Sequence, residues 1–201
     1  MTELKPEKVR PEKLENFHGQ DGKTRRIIGR VVETGELNAD LLLHGPKGTG
    51  KTTAAEMMAK ALVEHEMHWD RIDCSKRNSP KAIVNTINNI LETASMDTDE
   101  QRVLVLDQVD QLRSDFHEGI QQAVDSRQRV IATAKNPDSL EVSIGAELEF
   151  ELLSQEEVKK ILQDINQHRK LGITSEKIQD IAEMSDGEAR RPIQELGLET
   201  G

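Results

Sequence analysis

The sequence predicts an α/β protein: a parallel sheet flanked by helices and carrying a phosphate-binding loop, followed by a small domain made only of helices. Short apolar segments alternate with amphipathic segments as far as about residue 150, a pattern typical of parallel strands buried on both faces. A glycine-rich loop follows the first strand, and from residue 154 onwards only helical periodicity remains.

The chain opens with a polar arm. Residues 1 to 20 contain two prolines and little periodicity, which predicts an extended segment. Residues 21 to 35 place apolar side chains at helical spacing and end in Gly35, which predicts a helix. The run Leu41-Leu42-Leu43 then predicts a short buried strand.

The next segment carries the strongest signal. Residues 45 to 52 match the pattern G-x-x-x-x-G-K-[ST], between that strand and a helix predicted to run to about His68. This order turns backbone N–H groups and the positive end of a helix towards phosphate. A chance glycine-rich turn would not bring both flanks with it. The residues expected to surround the phosphates are Gly45, Pro46, Lys47, Gly48, Thr49, Gly50, Lys51, Thr52 and Thr53.

Two side chains of this loop have defined tasks in such a site. Lys51 would reach the β- and γ-phosphates, and the Thr52 hydroxyl would bind Mg²⁺. The chain is therefore predicted to bind a nucleoside triphosphate.

A phosphate loop also needs a carboxylate at the end of a neighbouring strand to hold Mg²⁺. Asp107 follows the apolar strand Val103–Leu106 and is the candidate; the alternative is an ordinary turn aspartate. The next residue, where a hydrolytic enzyme of this type carries a carboxylate, is Gln108. An amide cannot take a proton at neutral pH, although it can orient a water molecule. We expect nucleotide binding with slow or partner-dependent turnover.

The remaining elements follow from periodicity and turn signals. The sheet domain is predicted to contain a strand over 71–74, a helix around 83–91, a polar loop over 96–101, a helix over 115–124 and strands over 130–133 and 148–150. Ser154 and Glu157 have capping-box spacing and open a run of three helices. The predicted domains are an arm (1–20), a phosphate-loop domain (21–152) and a helical lid (153–201).

Composition limits the class of protein. The net charge of −10 argues against a stand-alone nucleic-acid binder, because phosphate contacts need local cations. Cys74 is the only cysteine, which excludes an intramolecular disulfide framework. No apolar stretch approaches the ~18 residues of a membrane span, and the N-terminus lacks a signal-peptide core. We expect a soluble, cytoplasmic protein without membrane partners.

Four segments in order resemble a single family. They are residues 7 to 20 (Glu-Lys-Val-Arg-Pro, then Leu14, Phe17, Gly19 and Gln20), the phosphate loop, residues 107 to 110, and residues 187 to 191 (Gly-Glu-Ala-Arg-Arg). Together they resemble the small subunits of replication factor C clamp loaders, which are AAA+ ATPases, over about residues 5 to 196. The N-terminal segment narrows the choice, since many ATPases share the phosphate loop.

The resemblance implies an AAA+ fold that binds ATP and Mg²⁺. It also implies a ring with other clamp-loader subunits, acting with a sliding clamp at primed DNA. Val9, Arg10 and Pro11 would border the adenine, and Arg190 would reach the γ-phosphate from the lid. The family normally has Asn at the end of the fourth strand. Here the simplest register places Lys135 there, with Asn136 one place on. The candidate catalytic residues are Lys51, Asp107, Gln108, Asn136 and Arg190.

Several positions depart from the family pattern. Gln108 replaces a glutamate, Gln121 and Gln122 replace paired arginines, and residues 144 to 146 contain no arginine where the family has Ser-Arg-Cys. Pro192 stands where a helix former is expected, and the chain ends at Gly201, before the family's collar domain. The leading hypothesis is an ATP-binding clamp-loader subunit that is associated with DNA and hydrolyses ATP weakly. The alternative is a non-hydrolysing ATP-binding scaffold in such a ring.

Overall fold

The computed structural model describes residues 4–20, 22–75, 80–96, 102–112, 117–125 and 128–199. The strands in this part of the chain are β1 (Leu41–His44), β2 (Trp69–Asp73), β3 (Val103–Asp107), β4 (Arg129–Ala134) and β5 (Ala146–Glu149). They form one sheet in the order β2-β3-β4-β1-β5, and every neighbouring pair is parallel. The predicted parallel sheet is confirmed.

Helices lie along the sheet and after it. The sheet domain contains α1 (Gly22–Thr34), α2 (Lys51–Ala61), α3 (Pro80–Met96) and α4 (His117–Val124). The C-terminal part contains α5 (Gln155–Arg169), α6 (Ser175–Glu183) and α7 (Arg190–Leu198). The predicted change to helices alone after residue 154 is also confirmed within the described residues.

The sheet is buried on both faces because successive side chains of a strand point in opposite directions. Leu41 and Leu43 of β1 pack in one hydrophobic cluster with α1 and α2. Leu42, between them, packs in a second cluster that includes Ile87 of α3 and Ile120 of α4. This two-sided burial explains why the strands consist of continuous apolar runs.

The parallel register brings the carboxyl ends of the strands to one edge of the sheet. Asp73 of β2 is paired with Asp107 of β3, and Leu43 of β1 is paired with Thr133 of β4. The residues that follow these pairs therefore emerge side by side, next to the start of α2.

The helical domain has its own core. Its entry is the predicted capping box, in which Ser154 and Glu157 each accept a hydrogen bond from the other's backbone N–H. The buried core residues are Leu153, Val158, Leu162, Ile165, Ile178, Ile181, Ala182, Ile193 and Leu196, and Leu4 and Val9 of the arm pack against them. The start of the arm is therefore packed on the helical domain.

The structure differs from the sequence predictions in the helix after the phosphate loop and in the arm. The helix after the phosphate loop ends at Ala61, and Glu66–His68 forms a separate 3₁₀ turn, because the chain must reverse to enter β2 at Trp69. The arm contains 3₁₀ turns at Pro6–Val9 and Leu14–Asn16 and is not fully extended.

Pro192 is accommodated without breaking its helix, since it lies in the first turn of α7, where its missing N–H has no intrahelical partner to lose. The predicted structures at residues 97–101 and 115–116 lie outside the described residues. No helix in the described part of the chain is long and apolar enough to cross a membrane.

Replacing Leu43 by alanine should destabilise the fold. Leu43 is 0 % exposed on β1, between β4 and β5, so its loss leaves a cavity and should lower the free energy of unfolding by about 2–5 kcal/mol. Urea denaturation measures this. Leu198→Ala is the matched control, because Leu198 is 68 % exposed and its loss should cost less than about 0.5 kcal/mol. Equal effects would contradict the assigned core.

Candidate functional site

A large cleft lies where the arm, the phosphate loop, the ends of β3 and β4, and the helical domain meet. Its volume is about 1080 Å³, the size of a site for a nucleotide-sized ligand. The sequence-predicted residues that line it are Val9, Arg10, Pro11, Lys47, Gly48, Thr49, Gly50, Lys51, Thr52, Thr53, Asp107, Gln108 and Arg190. Lys135 also lines it.

Glycines shape the loop through close backbone contacts. At Gly45, with φ of +132°, an added Cβ would lie 2.1 Å from the carbonyl oxygen of Phe150. At Gly48, with φ of +72°, it would lie 2.8 Å from the Cβ of Glu188. Only glycine allows these approaches. The loop is therefore held against the end of β5 on one side and the helical domain on the other.

The side chain of Lys51 turns back into the loop. Its Nζ donates hydrogen bonds to the carbonyl oxygen of Gly45 at 2.8 Å and to that of Pro46. Burial lowers the pKa of Lys51 from 10.5 to about 8, although Asp110, Asp107 and Glu188 nearby favour the charged form. The ammonium group thus lies within the loop that would surround a phosphate.

Asp107 is the most buried charge in the cleft, at 1 % exposure. Its Oδ1 accepts hydrogen bonds from the Thr52 hydroxyl at 2.8 Å and from the Thr133 hydroxyl at 2.6 Å. Its Oδ2 accepts a hydrogen bond from the Arg71 guanidinium. Burial opposes ionisation, but these hydrogen bonds and the charge of Arg71 hold the pKa of Asp107 below its usual value. Asp107 is an anion in the folded protein at neutral pH.

Gln108 occupies an unusual backbone position directly after β3. Its φ is +59°, a left-handed conformation that is uncommon for a residue with a side chain. Its backbone N–H donates to the Thr133 hydroxyl at 2.9 Å, and its side-chain amide donates to the Ser75 hydroxyl at 3.2 Å. The geometry positions an amide at the wall of the cleft.

The two alternatives at the end of β4 have different surroundings. Lys135 lines the cleft, whereas Asn136 is not among its lining residues. The Asn136 side chain caps the 3₁₀ turn Pro137–Ser139 by accepting a hydrogen bond from the Asp138 N–H at 3.1 Å. Asn136 therefore does not join the other sequence-predicted residues in this structure.

The helical domain closes the cleft opposite the sheet. The backbone N–H of Ala189 donates to the carbonyl oxygen of Gly48 at 2.9 Å. The next residue, Arg190, forms an ion pair with Glu7 of the arm at 3.3 Å, and its side chain is 61 % exposed. Arg190 is therefore at the rim of the cleft and linked to the arm.

The arm is fixed to both domains. The Gln20 side chain donates to the Glu151 carbonyl oxygen at 2.8 Å and accepts from the Glu151 N–H at 2.9 Å. His18 is paired with Asp164 of α5 at 2.7 Å, and Arg10 with Glu56 of α2. Val9, Arg10 and Pro11 are consequently held at the cleft wall.

Arg71 and Asp110 are charged residues of the cleft that sequence reasoning missed. Arg71 was assigned only to a strand, although the pairing of Asp73 with Asp107 would have placed it beside the carboxylate. Asp110 lines the cleft, and its buried Oδ1 has no hydrogen-bond partner among the described residues. No group of three or more His, Cys, Asp or Glu side chains that could hold a metal ion occurs within the described ranges. A cation in this cleft would therefore need further ligands from a bound anion or from water.

Comparison with known proteins gives a family and several relatives. Residues 41–155 match the family described as "ATPase family associated with various cellular activities (AAA)". Replication factor C subunit 4 of Encephalitozoon cuniculi is 23 % identical, over 92 % of this chain and 61 % of its own length. The replication factor C small subunit of Methanosarcina barkeri is 26 % identical, over 94 % and 59 %. That of Methanocella arvoryzae is 32 % identical, over 61 % and 38 %.

The chain spans about three fifths of the length of the first two of these relatives. Among solved structures, the Thermotoga maritima RuvB Holliday junction branch migration motor superimposes with a TM-score of 0.72. It is 21 % identical, and the match covers 96 % of this chain and 72 % of that one. This likeness establishes a shared fold.

The depressed pKa of Lys51 gives a pH prediction. Because the folded pKa of about 8 lies below the ordinary 10.5, the folded state binds fewer protons than the unfolded state between these values. Stability contributed by this group should therefore rise with pH over that range. We expect the unfolding free energy of the parent, minus that of Lys51→Met, to increase from pH 8 to pH 10.5, measured by urea denaturation. A constant difference would contradict the burial of an ammonium group.

Proposed function

The chain belongs to the AAA family of ATPases, and from this premise we propose that it binds ATP and acts as a clamp-loader-type subunit in DNA replication. The observation that carries the proposal is the meeting of the complete phosphate loop with Asp107, the arm and the helical domain around one cleft. The similarity to replication factor C subunits over more than nine tenths of this chain supports the replication role.

The residues present fit a magnesium nucleotide. Backbone N–H groups of the phosphate loop and Lys51 would hold the phosphates, and residues 9 to 11 would border the base. The Thr52 hydroxyl and the Asp107 carboxylate are hard oxygen donors 2.8 Å apart, the type that Mg²⁺ prefers. When bound, Mg²⁺ would neutralise charge on the phosphates. Lys51 must leave the loop carbonyls to which it donates, and phosphate oxygens would replace them as acceptors.

Hydrolysis by this chain alone should be slow. Gln108 can hold a water molecule through its amide but cannot remove a proton from it, and a positioned general base typically contributes ~10²–10⁴-fold. Arg190 would sense the terminal phosphate, which requires it to exchange Glu7 for phosphate. Asn136 would have to give up its capping bond to take part, and Lys135 is the alternative at that position.

The proposed partners follow from the relatives, whose names identify them as subunits of replication factor C. We infer a ring of related subunits, acting inside the cell on a sliding clamp and primed DNA. The net charge of −10 disfavours binding of DNA by this chain alone, so we assign the contact with DNA to an assembled ring.

A second candidate function rests on Gln108. A subunit that binds ATP but does not hydrolyse it could serve as a scaffold or regulator in the same kind of ring. Phosphate release by the purified protein, measured alone and with a sliding clamp and primed DNA, separates the two functions, since only the first predicts turnover under either condition.

ATP binding is the primary test. A ligand that binds only the folded state at 100 times its dissociation constant stabilises it by about 2.7 kcal/mol, so a thermal-shift titration with ATP and MgCl₂ should raise the melting temperature. Lys51→Ala should abolish the shift. Lys60→Ala is the control, because Lys60 is an exposed lysine of the same helix. A parent protein that shows no shift would refute the proposal.

Gln108→Glu tests the catalytic consequence of the amide. A carboxylate at this position could accept a proton from water, so phosphate release should rise, by up to ~10²–10⁴-fold if the remaining geometry is competent. Gln111→Glu, nearby at the exposed end of the same turn, controls for added charge. If the parent already hydrolyses ATP as fast as Gln108→Glu, the amide does not limit turnover and the scaffold function loses its support.

A further inference from the structure

Arg71 occupies a position in the cleft that the proposed nucleotide chemistry does not explain. It lies on β2, lines the cleft, and directs one guanidinium nitrogen to Oδ2 of Asp107. Its other terminal nitrogen lies 3.0 Å from Oε1 of Glu56. A single side chain therefore links the carboxylate at the end of β3 to a carboxylate on α2.

Both oxygens of Asp107 are already engaged in this arrangement. Oδ1 accepts from Thr52 and Thr133, and Oδ2 accepts from Arg71. A divalent ion could take the place of the hydrogen bond between Thr52 and Asp107 by binding the Thr52 hydroxyl oxygen and Oδ1 of Asp107. It would still face the positive charge of Arg71 on the other oxygen of the same carboxylate.

Ion pairs join Asp107 to three further charged side chains. Arg10 pairs with Glu56, Glu56 with Arg71, and Arg71 with Asp107, so two cations and two anions alternate along the wall of the cleft. Arginine is suited to such a position because its planar guanidinium can serve two acceptors and stays charged. Glu56 also holds Arg71 in place. If Arg71 left the cleft wall, it would lose its ion pair with Glu56 as well as the one with Asp107.

We propose that Arg71 is a built-in cation of the nucleotide site, which competes with Mg²⁺ for Asp107 and makes ATP binding largely independent of Mg²⁺. The proposal rests on the proposed ATP binding. Arg71 and Lys51 together supply positive charge to the cleft in which the phosphates would lie. The Thr52 and Asp107 oxygens can still hold Mg²⁺, but the ion must displace the charge-assisted hydrogen bond from Arg71 before it can use the whole carboxylate, so its binding adds little to the affinity for ATP.

The effect has a measurable size. Hydrogen bonds to charged groups contribute enough that displacing one weakens binding roughly ten- to hundredfold. The ratio of ATP affinity in excess MgCl₂ to that in EDTA should therefore stay within about threefold for the parent. In Arg71→Met, which keeps the length but removes the charge, Mg²⁺ regains the carboxylate, and the ratio should rise by at least about tenfold.

Isothermal titration calorimetry with ATP in the two buffers is the experiment, and it reads binding, not turnover. Arg30→Met is the matched control, because Arg30 is an exposed arginine on α1 outside the cleft, and it should keep the parent ratio. Arg71→Lys serves if Arg71→Met does not fold, since a shorter point charge cannot join both carboxylates; its ratio should exceed that of the parent.

The outcomes are distinguishable. A parent ratio within about threefold, together with an increase on replacing Arg71, supports the proposal. A parent ratio above about tenfold overturns it while leaving ATP binding intact, and so does an unchanged ratio in the folded Arg71 variant. ATP that binds in neither buffer refutes the proposed function, and with it the role of Arg71.

Discussion

The buried negative charge of Asp107 is the constraint on which the site depends. It ends an entirely apolar strand, where an uncompensated carboxylate would be very unfavourable. Its three partners come from different parts of the chain: Thr52 from the start of α2, Thr133 from β4 and Arg71 from β2. Satisfying this one charge therefore fixes the phosphate loop relative to two neighbouring strands. The same hydrogen bonds join the floor of the cleft to the carboxyl ends of these strands.

The arm adds a second constraint, because it joins the two domains directly. Gln20 pairs with the backbone of Glu151 through both ends of its amide, much as a neighbouring strand would. Val9 packs against the core of the helical domain, while the next residue, Arg10, is paired with Glu56 of the sheet domain. Neighbouring residues of the arm thus serve different domains. A cleft between two domains can keep its shape only if such cross-connections limit their relative movement.

Much of the fold was predictable from local sequence patterns. The apolar runs gave the strands, helical periodicity gave the helices, and the spacing of Ser154 and Glu157 gave the capping box. The phosphate loop was predictable because its function depends on consecutive residues. Arg71 was not, because its partner Asp107 is distant in sequence and the two meet only through strand pairing. Asn136 illustrates the same limit. Its side chain caps the turn that follows it, and the sequence alone does not decide whether Lys135 or Asn136 faces the cleft at the end of β4.

The contact between Gly48 and the helical domain has a thermodynamic consequence. Ala189 is hydrogen-bonded to the loop that would hold the phosphates, and Glu188 packs where Gly48 has no side chain. A ligand that binds the phosphate loop better when the helical domain contacts Gly48 will bind more tightly whenever a second molecule also stabilises that contact. If a partner protein that binds the outer surface of α7 stabilises the same contact, the partner and the ligand in the cleft raise each other's affinity by the same factor. Through the helical domain, a neighbouring protein could thus change how much ligand the cleft holds without contacting the cleft.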